Sequence, residues 1–131
     1  MEEMKLGAVE SRFADLIWDN EPLSSRELVK KSEIELGWKK STTYTVLKKL
    51  CDRGIFQNEK GTVTSLVSKQ EFTSRQSEKF VDDTFDGSLP AFIAAFTKRK
   101  KLSQKDVDEE IYIMQVLVIY KWDSIYNITF L

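Results

Sequence analysis

Residues 38–50, WKKSTTYTVLKKL, constrain the fold more than any other part of this 131-residue chain. At 100° per residue, Val46, Leu47 and Leu50 share one face, with Thr43 beside them. Ser41, Tyr44, Thr45, Lys48 and Lys49 fall on the opposite face, and no carboxylate follows until Asp52. One side is a narrow apolar stripe that docks on a small core. The other carries hydroxyl and ammonium groups, which is what a helix in a DNA major groove needs. Lysines hold phosphates, hydroxyls reach phosphates and base edges, and an aromatic ring makes apolar contact with a base. The same pattern also fits a solvated lysine face on an ordinary surface helix, so the flanking chain has to decide.

The flanks favour the first reading. The net charge is −1, but the charge is unevenly placed. Residues 1–25 hold two bases against six acids, whereas residues 26–60 hold nine against five. The basic segment coincides with the candidate reader helix, which is the electrostatic footprint of a nucleic-acid binder. Histidine is absent and Cys51 is the single cysteine. That excludes Ser-His-Asp and Cys-His catalysis, histidine-ligated metals and an intramolecular disulfide. Cys51 follows Leu50 with no accompanying base, so it reads as a packing residue. There is no Gly-rich phosphate loop, and no paired carboxylates stand out from solvated faces, so an enzyme is not expected. The start, MEEMKLGAVES, is acidic and lacks the apolar run of a signal peptide, so a cytoplasmic protein is expected.

The spacing predicts a first helix over residues 8–19, with Val9, Phe13, Leu16 and Ile17 as its core stripe and Trp18 at the edge. Asn20-Glu21-Pro22 breaks it. Leu23 suits a short strand. Ser24 and Glu27 form a capping box that opens a second helix from Ser25 to about Leu36, with Leu28 and Val29 inward and Gly37 as a left-handed stop. The third helix ends near Arg53, with Gly54 as its stop. Residues 55–57 and 62–67 are β-type runs, and Lys60-Gly61 makes a hairpin turn. Three helices followed by a hairpin is the order of a winged helix-turn-helix, with Lys60 at the wing tip, placed for a phosphate.

Ser68 and Glu71 cap a helix over residues 69–85 that ends at Gly87. Ser88 caps another, with Pro90 in its first turn. Ser103 caps a third, with Leu102 and Val107 as a hydrophobic staple. These helices are short, and their phenylalanines exceed what a small monomer buries comfortably. A homodimer is therefore expected, with Phe72, Phe80, Phe85, Leu89, Phe92, Ile93, Phe96, Val107 and Ile111 at its interface. A twofold protein also suits a palindromic operator. The run Lys98-Arg99-Lys100-Lys101 invites a second DNA contact, although a solvated helix end is the commoner reading. Residues 111–120 are almost wholly apolar but too short to span a membrane, so no membrane insertion is expected. That stretch fits either a helix buried between protomers or a strand-prone tail.

The fold class expected is mainly α with a small β-hairpin. A winged helix-turn-helix over residues 1–68 precedes a helical dimerisation region over 69–131, whose tail from about residue 112 is left open. The sites expected to touch double-stranded operator DNA are Lys40, Ser41, Thr42, Tyr44, Thr45, Lys48, Lys49 and Lys60, and no cofactor is expected. The alternative is a winged-helix protein-interaction module whose basic helix meets an acidic partner.

The chain resembles the penicillinase-repressor family (BlaI/MecI type, with the copper-responsive CopY branch). The resemblance rests on Leu16-Ile17-Trp18, on Trp38 followed by Ser41-Thr42-Thr43-Tyr44-Thr45-Val46-Leu47-Lys48-Lys49-Leu50, on Gly54-Ile55, and on Phe92-Ile93-Ala94-Ala95-Phe96 with Leu102-Ser103. It implies a homodimeric repressor of a β-lactamase-type operon. It also implies a membrane sensor protease system that ends repression by a cut in the dimerisation region, at a position matching Ala95-Phe96. Such a cut would separate the final helix from its partners and remove the avidity of two half-sites. Three departures stand out. Many members carry Asn where Ala95 stands, often Arg where Tyr44 stands, and a capping residue where Lys39 stands. The clustered C-terminal cysteines of the copper branch are missing, which argues against metal sensing.

Overall fold

A computed structural model describes residues 5–126 of the chain, with side chains through residue 121. The acidic start at residues 1–4 and the last five residues of the expected dimerisation region, 127–131, lie outside the described residues. The elements run α1 (Ala8–Asn20), β1 (Leu23–Ser24), α2 (Ser25–Leu36), α3 (Lys40–Asp52), β2 (Phe56–Glu59), β3 (Thr62–Ser65), α4 (Lys69–Phe85), α5 (Leu89–Arg99) and α6 (Gln104–Tyr126). They form two compact units that divide between Gly87 and Ser88.

The first unit is a winged helix built on one core. Phe13 and Ile17 of α1, Leu28 of α2, Leu50 of α3, and Ile55, Phe56 and Val63 from the wing are fully buried. Each such side chain contributes about 1.5–3 kcal/mol relative to exposure. The local signals expected from the sequence are present. Ser24 Oγ accepts the Glu27 amide at 3.0 Å, and Gly37 stops α2 at φ 68°, a left-handed conformation that glycine adopts without a Cβ clash. The core stripe of α1 differs at one position. Val9 is exposed, and Ala14, one residue beyond Phe13, is buried in its place.

The sheet order is β1-β3-β2, all antiparallel. Leu23 pairs with Val63, so the short strand before α2 joins the wing to the helices. The hairpin is tighter than the two β-type runs suggest. β2 continues to Glu59, which pairs with Thr62, and only Lys60 and Gly61 turn the chain, at φ 52° and 85°. A two-residue turn with both central φ positive matches the right-handed twist of the strands and lets pairing run to its edge. Ile55 falls outside the strand, yet its carbonyl accepts the amides of Leu66 and Val67 at 2.8 and 3.2 Å. Glu21 accepts the amide and hydroxyl of Ser65, both at 2.8 Å, and so ties the end of α1 to the wing.

Aromatic contacts complete the unit. Phe13 lies 5.0 Å from Trp38, and Trp18 lies 5.2 Å from Phe56 and 5.5 Å from Phe72, centroid to centroid. The Trp18 indole donates to the Val67 carbonyl at 3.0 Å. These contacts correct one expectation. Phe72 is not free for a second protomer, since it is 3 % exposed and its surface is consumed by this core. α4 therefore begins as part of the winged helix. Its later residues, including Phe80, turn outward. The helix ends at Asp86, itself left-handed at φ 50°, one residue before the glycine expected to stop it.

Among its described residues, the second unit has capped helices and almost no core. Ser88 Oγ accepts the Ala91 amide at 3.1 Å. Ser103 and Asp106 cap α6 reciprocally at 3.0 Å each way, and these bonds hold the Asp106 carboxyl below its ordinary range. No residue of α5 is buried. Phe92, Ile93, Leu102 and Val107 are half-buried, while Leu89 and Phe96 are exposed. The apolar stretch 111–120 is helical throughout, not strand-like. Nine of its ten residues are exposed large hydrophobics, up to 77 % at Tyr120. Among the described residues, no helix is long and apolar enough to cross a membrane.

Candidate nucleic-acid interface

α3 carries its two faces as the sequence predicts. Thr43, Leu47 and Leu50 are buried and Val46 is half-buried, while Lys40, Ser41, Thr42, Thr45, Lys48 and Lys49 are exposed. The buried face holds the helix on the core, and that fixes the outward direction of the other face. The first turn of α3 contains no acid and no side-chain cap, with Lys39 at the capping position. Its leading amides and the Lys39 and Lys40 ammoniums therefore present positive potential at the end of the helix. Thr43 turns inward and donates to the Lys39 carbonyl at 3.2 Å. Thr45 donates to the Ser41 carbonyl at 2.9 Å, so its hydroxyl proton is spent and its methyl group and oxygen lone pairs are left for an outside partner.

Tyr44 departs from the expected base-reading role. It is half-buried against the core, and its hydroxyl lies 3.2 Å from Ser25 Oγ. The Ser25 amide in turn donates to the Gly61 carbonyl at 2.8 Å. Ser25 thus joins α3 to the wing turn. A ring anchored this way positions α3 and the wing and is not free to swing onto a base. Ser25 was not among the residues singled out from the sequence. Its only local signal is its place beside the Ser24 cap. Lys60 is exposed at the wing tip as expected, on the turn that Ser25 holds.

The lysines at the other end of α3 are paired. Lys48 Nζ lies 2.9 Å from Asp52 Oδ2, one turn along the same helix. Lys49 Nζ lies 3.4 Å from Glu10 Oε2 on α1. Together with Lys5 and Arg53 these groups line an open groove of about 770 Å³, four bases against two acids. The Arg53 guanidinium reaches the Lys5 carbonyl at 2.8 Å. The Lys48–Asp52 pair is legible from its i,i+4 spacing. The Lys49–Glu10 pair is not, because its partners are 39 positions apart and only folding brings them together.

The remaining candidates are quickly placed. Cys51 is half-buried, and burial first and Asp52 second push its thiol above its usual value. It therefore stays a protonated packing group. Among the described residues no group of acids and cysteine is arranged to hold a metal ion. Lys98, Arg99, Lys100 and Lys101 are exposed at the end of α5, and the Lys100 ammonium sits 6.0 Å from the Phe96 ring centre. Ala95 and Phe96 are exposed on α5.

Three helices and a three-stranded wing on one core, with an exposed basic face on α3, define a winged helix-turn-helix protein. The profile of the penicillinase repressor family matches residues 6–115, and the chain belongs to that family. It is a transcriptional repressor of the BlaI/MecI type, not an enzyme. It is 20 % identical over 109 residues to the methicillin resistance regulatory protein MecI of Staphylococcus aureus, covering 80 % of this chain and 89 % of that one. The MecI protein of Mammaliicoccus sciuri is 19 % identical with the same coverage. The penicillinase repressor of Bacillus licheniformis is 21 % identical over 115 residues, 85 % of this chain and 90 % of that one.

Proposed function

We propose that this repressor acts in the cytoplasm as a homodimer on palindromic operator DNA of a β-lactamase-type, antibiotic-responsive operon. The observation that carries the reading is the exposed face of α3, with Lys40, Ser41, Thr42, Thr45, Lys48 and Lys49 pointing away from a core that fixes the helix. Ser41, Thr42 and the Thr45 methyl group read base edges and set register, while Lys40, Lys48, Lys49 and the wing-tip Lys60 hold phosphates. Tyr44 contributes by holding the helix to Ser25 and the wing.

The dimer forms through the second unit and the outer part of α4, using Phe80, Phe85, Leu89, Phe92, Ile93, Phe96, Val107 and Ile111. Exposed apolar residues on α5 and α6 support this, since a helix that is apolar on every side is stable only when covered. Two joined readers bind two half-sites with avidity. A membrane sensor protease system ends repression by cutting at Ala95-Phe96, which severs α6 from most of α5.

The test is fluorescence anisotropy with the duplex upstream of the protein's own gene against a scrambled duplex at equal salt. Binding by two protomers with about 10³-fold preference or more is expected for an operator. Equal, weak binding to both would overturn the reading and favour a protein-interaction module.

A further inference from the structure

The two lysines best placed at the end of the reader helix already have counterions within the chain. Lys48 is held by Asp52 and Lys49 by Glu10. The second pair is the more firmly built. Glu10 Oε1 accepts the Gly7 amide at 3.3 Å, which fixes the carboxylate at the start of α1. Its other oxygen, Oε2, is buried from solvent and accepts no hydrogen bond, and it faces the Lys49 ammonium. Moving Lys49 onto a phosphate leaves that oxygen buried without its cation, which is costlier than breaking an exposed pair.

We propose that Glu10 and Asp52 are built-in competitors of the DNA phosphates: they neutralise Lys49 and Lys48 in the free protein and weaken the hold of α3 on any duplex. The inference rests on the reading of α3 as the DNA-facing helix. The physical reason is counterion release. A free lysine that neutralises a phosphate displaces a condensed cation and steepens the dependence of affinity on salt by about 0.9. A lysine that keeps its carboxylate brings no net charge and displaces little. One that gives it up leaves a carboxylate beside the phosphates. In either case the chain binds DNA less tightly than its lysine count implies. A repressor must leave a large excess of non-operator DNA, and weakened phosphate contacts serve that need.

The experiment compares wild type, Glu10→Gln, Asp52→Asn and the double variant on the upstream duplex and its scrambled control across a salt series. Gln and Asn keep the shape of each side chain, and a thermal melt checks that the fold is kept. Each single variant is expected to bind both duplexes about two- to fivefold more tightly at low salt. Each is also expected to steepen log affinity against log salt by up to about one. Lys48→Ala with Lys49→Ala should flatten the slope by clearly less than about two in wild type, and by about two in the Glu10→Gln, Asp52→Asn background.

Folded variants with unchanged slopes and affinities overturn the inference. So does a full loss of about two from the lysine pair in wild type. If wild type prefers its upstream duplex while those slopes stay unchanged, the competitor role fails and the repressor reading stands. If wild type binds no duplex, both fail together.

Discussion

The two compact units handle apolar surface in opposite ways. The first encloses Phe13, Ile17, Leu28, Leu50, Ile55, Phe56 and Val63 with almost no exposure. The second leaves Leu89, Phe96 and nearly all of residues 111–120 exposed, although each of its helices is correctly capped. Caps and propensity set where a helix starts and stops, but they contribute about 1 kcal/mol each, whereas a core contributes that much many times over. One unit is self-sufficient. The other has helices whose stability has to come from something they cover.

The largest effect expected from breaking this contrast is in the first unit. Phe56→Ala removes a fully buried ring that also meets Trp18, and should cost about 3–5 kcal/mol in a urea melt followed by Trp fluorescence. A cost under 1 kcal/mol would mean that this core is not what holds the wing.

A smaller and different effect is expected in the second unit. Ile111→Lys should leave the first unit's melt unchanged, because Ile111 is exposed within the chain. Sedimentation should then show the dimer weakened by about 2 kcal/mol or more, roughly 30-fold. Operator affinity should fall with it, while affinity for one half-site stays the same. An unaltered dimer would move the interface elsewhere.

The smallest effect sharpens the comparison inside the first unit. Tyr44→Phe deletes one hydroxyl and its bond to Ser25. The expected cost is about 0.5–1.5 kcal/mol of stability, with a modest loss of operator affinity and no change in base preference. A changed base preference, measured on substituted operators, would return Tyr44 to the role of a reader.

Much of this was legible in the chain itself. The capping serines at 24, 68, 88 and 103, the stop at Gly37 and the Lys60-Gly61 turn are local signals, and the helices and wing begin and end close to where they point. The polarity of α3 was equally legible, because helical period alone sorts Leu47 and Leu50 from Lys48 and Lys49. Where the reading failed, the deciding contact came from far along the chain. Phe72 looks like any other phenylalanine on an amphipathic helix until Trp18 is found beneath it. Tyr44 looks like a base reader until Ser25 takes its hydroxyl. Ser25 and Glu10 carried no signal of their own for the roles they hold.

Sequence alone therefore determined the elements, their order and the chemistry on the outer face of α3, because period, caps and turns act within a few residues. Tertiary structure decided which apolar side chains are consumed in the first core and which are left over. It also decided which hydroxyl on α3 is spent holding the wing, and that Lys49 faces a carboxylate. Burial and pairing depend on residues tens of positions apart meeting in space, and no local pattern encodes which of several similar side chains will be met.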